Sequence, residues 1–344
     1  MSHSLIVLPD DTAQPILDAV SKARKSLQIR MFLFTDSRLT DAVIATRRRG
    51  VKVRVMLNPA RRGGECENDA TKAKLAAAGI EVKDSNPAFD LTHQKSMVVD
   101  GGTGFVESFN WETRNLTVTR DYAVVTANKT EVAEMEAGFE SDWARTTFSP
   151  GGHSQLIWCP NNGRERIADF IDSAKHSLWL QNERYQDTVI IERLVRAAMR
   201  GVRLHILARP PHTLKKDKLV EGVGGLRIVH DVGAKVHALK GLKLHAKMIL
   251  ADEKRAIVGS INLSPGSFDG RRELAIETDS HHVVKRLNEA AQTDWANSRK
   301  LDLTDAGLLR DLEKRSETAE GAELLVLKPS GGRIDGKPRT RLGQ

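Results

Sequence analysis

The chain has 344 residues, 40% apolar and 28% charged, the balance of a soluble globular protein with room for two domains. It contains no run of 18 apolar residues, and its first residues, MSHSLIVLPDD, lack the basic and long apolar regions of a secretory signal, so neither a membrane-spanning helix nor export is expected. The net charge of +8 favours polyanionic partners (nucleic acid, anionic lipid headgroups or phosphate esters), while two cysteines, Cys66 and Cys159, exclude a disulfide scaffold or zinc finger and fit reduced thiols in the cytoplasm.

In chain order, PILDAVSKARKSL places Ile16, Leu17 and Val20 at helical spacing, with Pro15 suited to a first turn. LQIRMFLF alternates at Leu27, Ile29, Met31 and Leu33 and predicts a strand. LTDAVIATRRRG predicts a helix closed by Gly50, and VKVRVMLNP a second strand. The segment SNPAFDLT then leads to LTHQKSMVVD, which holds His93, Lys95 and Asp100. ESFN follows with Ser108 and Asn110, then Asp121 in TRDYAVV and the pair Asp142-Trp143.

The succession then starts again. ERIADFIDSAKHSL is a helix, LWLQ a strand, IERLVRAAMRG a helix closed by Gly201, and VRLHILARP a strand. Ser26 and Ser177 are 151 residues apart, as are Gly50 and Gly201. HALKGLKL leads to LHAKMILAD, with His245, Lys247 and Asp252, each 152 residues after its counterpart. Ser260, Asn262, Glu273 and Asp294-Trp295 keep that offset. A single His-x-Lys-x-x-x-x-Asp is a weak signal, but two in register, each followed 17 residues later by Asn, are strong evidence of an internal duplication with a βαβ rhythm. The chain ends in KPSGGRIDGKPRTRLGQ, five Lys/Arg against one Asp, so residues 317–344 are expected to form a basic, disordered tail.

The spacing predicts that His and Lys share one face of a buried strand in each half. Buried charge needs compensation, and the simplest source is one polar cleft where both sets meet. Two ammonium groups and two carboxamides suit the oxygens of a phosphodiester, and two imidazoles allow one to attack phosphorus while the other protonates the leaving alcohol. Asp121 and Glu273 are candidates to orient the histidines. The same residue types can bind zinc, but a lysine within the motif repels a dication, so no metal or other cofactor is expected.

With these residues the chain resembles the phospholipase D superfamily, marked by a duplicated HKD motif followed by Gly-Ser-x-Asn, over about residues 1–300. The resemblance implies an α/β fold of two pseudo-symmetric α/β/α sandwich halves, 1–149 with motif 93–100 and 150–316 with motif 245–252, the active site lying at their interface. It implies a covalent phosphohistidine, with His93 as nucleophile and His245 as general acid and then base. The internal symmetry alone leaves that order undecided. By the same likeness Lys95 and Lys247 join the catalytic set, Asn110 and Asn262 with Ser108 and Ser260 bind phosphate, and Asp100 and Asp252 take the place of the motif aspartates, whose part looks structural. Two departures are visible: Glu107 stands where the pattern has Gly (kept as Gly259), and Asp121 is one methylene shorter than the usual Glu.

The implied activity is that of a metal-independent phosphodiesterase or phosphatidyltransferase acting on phospholipid headgroups. The alternative is a nuclease of the same chemistry, and a catalytically silent binding module is disfavoured because both motifs are complete. An aromatic content of 5% favours neither an interface-inserting protein nor a base-stacking one. Loops with Arg61 and Arg62, and with Lys215, Lys216 and Lys218, follow strand ends, where ligands of α/β folds bind. With both motifs in one chain a monomer is expected, cytoplasmic, in peripheral contact with membrane if the substrate is lipid and with nucleic acid otherwise. Phe109 and Trp111, flanking Asn110, are expected in the core.

Overall fold

The computed structural model describes residues 3–61, 63–152, 154–213 and 219–318. Arg62, Lys215, Lys216, Lys218 and the tail from 319 onward lie outside the described residues. The first half runs β1 (His3–Leu8), α1 (Gln14–Lys22), β2 (Ser26–Met31), α2 (Ser37–Arg48), β3 (Lys52–Leu57), α3 (Asp69–Ala77), β4 (Glu81–Asp84), β5 (Leu91–Thr92), β6 (Ser96–Val99), β7 (Thr103–Glu107), α4 (Thr113–Thr117), β8 (Thr119–Thr126) and α5 (Lys129–Ala144). The second runs β9 (Leu156–Cys159), α6 (Gly163–Ser173), β10 (Ser177–Gln181), α7 (Thr188–Met199), β11 (Arg203–Leu207), α8 (Leu219–Asp231), β12 (Lys235–Leu239), β13 (Lys243–Leu244), β14 (Met248–Ala251), β15 (Arg255–Gly259), α9 (Pro265–Asp269), β16 (Arg271–Thr278), α10 (His281–Ala296), β17 (Ser298–Lys300) and α11 (Asp305–Thr318).

The repeat is visible at the level of single caps. Asp36 accepts from the Leu39 amide to start α2, and Asp187 accepts from the Ile190 amide to start α7, both at 3.2 Å. Both helices end at a glycine in the left-handed region, Gly50 at φ +91° and Gly201 at φ +86°, a conformation that needs the missing Cβ.

Two mixed sheets result. One is ordered β1-β8-β7-β6-β2-β3-β4, and the other β17-β12-β11-β10-β14-β15-β16, with β9 also beside β16. Helices α1 to α3 cover the outer face of the first sheet through Ile16, Val20, Leu39, Val43 and Leu75. Helices α6 to α8 cover the second through Ile167, Ile171, Ile190, Leu194 and Leu226. A third core lies between the sheets and takes in Val7 and Val124 from one, Val258 and Ile276 from the other, and Met135 and Leu287 from the α5 and α10 layers. Each half is an α/β/α unit, and the two share the central layer.

The halves are also interlocked. Strand β5 of the first half pairs in parallel with β16 of the second, and β13 of the second with β8 of the first. Beside these exchanged strands lie two buried ion pairs of equivalent residues. Arg120 meets Asp294 and Arg272 meets Asp142, each at 3.0 Å. The Asp-Trp pairs that closed the sequence repeat therefore supply carboxylates to the opposite half.

Candidate active site

The exchanged strands deliver the motifs. Continuous strand character through His93 and Lys95 was the expectation, and the structure corrects it: these residues cross between sheets. Strand β5 pairs with the ladder of the opposite half and β6 with that of its own, so the chain leaves one ladder before joining the next. The amides of His93 and Gln94 both donate to the carbonyl of Arg272 at 3.0 Å, and the His245 amide donates to the carbonyl of Arg120 at 3.3 Å. Each lysine then folds back so that its Nζ donates to the carbonyl of the histidine two residues before it.

Each histidine is oriented by a carboxylate from the other half. His93 Nδ1 lies 2.9 Å from Glu273 Oε2, and His245 Nδ1 lies 2.9 Å from Asp121 Oδ1. A carboxylate only accepts, so both Nδ1 atoms carry the proton and both Nε2 atoms are left for chemistry. The carboxylates are held in turn. Glu273 accepts from Ser267 at 2.8 Å, and Asp121 accepts from Ser108 and Thr119, each at 2.6 Å. The shorter Asp121 thus reaches its histidine.

Ser108 and Ser260 are not free for phosphate, contrary to what the resemblance implied. Ser108 is fully buried, donates to Asp121 and accepts from the Tyr122 amide at 2.9 Å. Ser260 is equally buried and bonds the carbonyl and amide of Leu274 at 3.2 and 3.1 Å. Asp100 and Asp252, the motif aspartates, lie in the turns after β6 and β14, at φ +54° and +53°. Asp100 accepts from the amides of Arg24, Lys25 and Ser26, and Asp252 from those of Lys175, His176 and Ser177. They tie each motif strand to the start of its neighbour, and the backbone bonds hold both carboxyls below their usual range against the opposing effect of burial.

Asn110 and Asn262 are both 3% exposed. Each leaves Oδ1 without a partner among the described residues. Amide oxygen and nitrogen are interchangeable by a flip, so each residue keeps one polar end available for a ligand. Phe109 and Trp111 are fully buried, as expected for core residues. Glu107 is also fully buried and accepts from Trp111 Nε1 at 2.9 Å. Burial pushes its carboxyl up to about 8, so near neutrality it is chiefly protonated and opposes no anion. At its counterpart, Gly259, a Cβ would lie 2.3 Å from Ala275 Cα, which excludes any side chain.

The lysines differ. Lys247 pairs with Glu183 at 2.9 Å. Lys95 is fully buried, and burial followed by repulsion from Lys247 pushes it down to about 7, although Glu273, Glu183 and Asp121 pull the other way. Burial, with Lys95 and Lys247 nearby, also outweighs Glu273 and holds His93 well below the ordinary imidazole range, leaving a neutral ring. The protonated ammonium is the form that holds an anion, so turnover of an anionic phosphodiester is expected to fall as pH rises past about 7. A pH profile of kcat/KM checks this, with Lys95→Arg extending activity to higher pH because guanidinium keeps its charge.

The family described as "Cardiolipin synthase, PLD-like domain" matches residues 16–143 and 167–295, most of both halves. The chain belongs to this family. Within the family, a relative named Cardiolipin synthase 1, from Bacillus anthracis, is 22% identical over 340 residues, covering 82% of this chain and 64% of that protein. This chain therefore spans less than two thirds of the length of that relative. Among solved structures, phosphatidylserine synthase from Haemophilus influenzae superposes with a TM-score of 0.69 at 11% identity, covering 92% of this chain and 93% of that one. Polyphosphate kinase from Porphyromonas gingivalis superposes equally well, TM-score 0.69 at 16% identity, over 92% of this chain and 53% of that one. Two different chemistries at one TM-score show that the shared fold does not name the substrate.

Three residues at this phospholipase D-like site escape motif reasoning: Phe32, Glu183 and Arg209. The Phe32 ring lies 5.0 Å from that of His93. Glu183 Oε2 lies 3.7 Å from His245 Nε2, and Glu183 Oε1 lies 3.1 Å from Arg209. Phe32 and Glu183 are 151 residues apart, so the repeat offset pairs them, and comparing the copies for differences would have exposed them. Of the basic loop residues, Arg61 is paired with Glu67. The segment SNPAFDLT packs on the interlock, with Asn86 donating to Asp142 at 3.4 Å and Arg272 lying 4.3 Å over the Phe89 ring.

Proposed function

We propose that the chain is a phosphatidyltransferase-type phosphodiesterase that cleaves or exchanges phospholipid headgroups through a phosphohistidine, without a metal. One observation carries the reading: each half presents a histidine whose Nδ1 is bound by a carboxylate of the other half, with both lysines alongside. In the first step Nε2 of neutral His93 attacks phosphorus. As the N–P bond forms the P–O bond to the headgroup breaks, and that oxygen takes the proton from His245 Nε2. In the second step His245 accepts the proton of water or an alcohol as its oxygen displaces His93. Lys95, Lys247 and one end each of Asn110 and Asn262 hold the non-bridging oxygens, where their charge and dipoles stabilise the transition state.

Phospholipid as substrate is supported by the names of the relatives, and the site is complete within one copy of the chain, so a monomer suffices. Among the described residues no helix is long and apolar enough to cross a membrane. A chain with both cysteines free, meeting lipid peripherally from the cytoplasm, fits this reading.

The test is turnover in excess EDTA with phosphatidylglycerol or phosphatidylcholine vesicles in one arm and single- and double-stranded DNA in the other. Headgroup release or exchange is expected, absent in His93→Asn. Cleavage of DNA with lipids untouched would move the chain to the nucleases, and activity that returns only with added metal would overturn the mechanism.

A further inference from the structure

The two halves supply the same catalytic groups, but a phosphodiester is not symmetric. Something must decide which ester oxygen faces which histidine. The departure from pseudo-symmetry that reaches the histidines' open faces lies in the segments just after β2 and β10. Phe32 and Glu183 stand there as equivalents by sequence offset and by contact. Phe32 lies against the His93 ring at 5.0 Å and under Lys95 Nζ at 5.2 Å. Glu183 lies against His245 Nε2 at 3.7 Å and Lys247 Nζ at 2.9 Å.

The difference extends one strand further. Arg209 follows β11 and holds Glu183 Oε1 at 3.1 Å, while its other nitrogen donates to the Thr213 carbonyl at 3.1 Å. Its equivalent by the 151-residue offset is Asn58, which is buried and turned to backbone, accepting from the Thr92 amide at 3.0 Å and donating to the Ala60 carbonyl at 2.5 Å. The cleft therefore has an aromatic wall beside His93 and a charged wall beside His245.

A carboxylate cannot bind phosphate, but it can accept from a donor. Oε1 engages Arg209 and Oε2 engages Lys247, and each oxygen keeps acceptor capacity. The donor sought is a hydroxyl rather than an ammonium, because Arg209 and Lys247 would repel a further cation. Glu183 lies beside Nε2 of His245, the atom that protonates the leaving oxygen in the mechanism above.

We propose that Glu183, held by Arg209, recognises the hydroxyl groups of the polar alcohol that leaves or enters at His245, while Phe32 faces the phosphatidyl side that stays on His93. This rests on the phospholipid reading of the preceding subsection. Microscopic reversibility makes the exit of the headgroup and the entry of the acceptor one subsite. A polyol gains there a charge-assisted hydrogen bond that a monohydric alcohol, whose one hydroxyl is reacting, does not make.

The experiment uses the full chain, phosphatidylglycerol vesicles, and isotopically labelled glycerol in competition with 1-propanol and ethanolamine. Product ratios are read for wild type, Glu183→Gln and Arg209→Gln. All acceptors partition the same phosphoenzyme, so the ratio does not depend on how fast that intermediate forms. The glycerol-to-propanol ratio is expected to fall roughly tenfold in Glu183→Gln, the size of one hydrogen bond to a charged group, and severalfold in Arg209→Gln. Arg209→Gln, altered at the rim, carries the test alone if Glu183→Gln turns over too slowly to read. Turnover with an unchanged ratio, or selective loss of ethanolamine transfer, overturns the assignment and leaves the phospholipid reading standing. A wild type inert on phospholipid overturns both.

Discussion

His93→Asn is expected to lower turnover at least ~10⁴-fold, because removing a covalent nucleophile eliminates the pathway rather than weakening one contact. The fold should survive: the His93 amide keeps its bond to the Arg272 carbonyl, and asparagine can still donate toward Glu273. His245→Asn should behave differently. On an alkyl headgroup it loses roughly 10²–10⁴-fold, the worth of a general acid. On a p-nitrophenyl phosphatidyl ester, whose leaving group needs no proton, the first step survives and the second stalls for want of a base. A burst of p-nitrophenol stoichiometric with enzyme, followed by slow turnover, is the expected trace for His245→Asn, with no burst from His93→Asn. The reverse pattern would exchange the two roles. The order follows family likeness, and it is compatible with a His93 kept neutral by burial and two lysines, the form that attacks phosphorus.

Much of this site was legible because duplication makes chemistry conspicuous. Matching His, Lys, Asn and carboxylate positions at a constant offset points to one shared cleft whatever the fold. Four things were not legible, each for a physical reason. Strands β5 and β13 are two residues long, too short for periodicity, so the exchange that couples the halves left no pattern. Nothing in TRDY or RREL marks Arg120 and Arg272 as buried, yet they are 4% and 2% exposed, because their partners lie some 130–174 residues away. The motif serines and aspartates are recurrent for structural reasons: Ser108 braces Asp121 and Asp100 gathers backbone amides, and residue type cannot tell a brace from a ligand. The asymmetry between the two histidines lies in pairs that do not match, Phe32 with Glu183 and Asn58 with Arg209, where agreement between copies carries no information.

Asp142→Asn should be the most destabilising single-atom change in the interlock. Asp142 is the common partner of two buried guanidinium groups, Arg30 and Arg272, each at 3.0 Å. Burial already pushes Arg30 down to about 10, with Arg272 adding to the effect and Asp142 opposing it. Replacing the carboxylate by an amide leaves two cations in one buried pocket with only neutral acceptors: Gln94 and the Gly138 carbonyl for Arg30, Asn161 for Arg272. Removing one partner of a buried pair costs about 3–5 kcal/mol, which for a chain of this size is a loss in Tm of roughly 4–7 °C. The equivalent Asp294→Asn should cost less, because Arg120 retains Asp10 at 3.1 Å and the Leu8 carbonyl at 2.8 Å. Thermal denaturation of the two variants side by side decides the point, since equal losses would mean that the second guanidinium at Asp142 contributes nothing. Activity should follow stability here more closely than elsewhere. The Arg272 carbonyl fixes the amides of His93 and Gln94, so loosening Arg272 releases the nucleophile, and Asp142→Asn should lose activity at temperatures below its own unfolding transition.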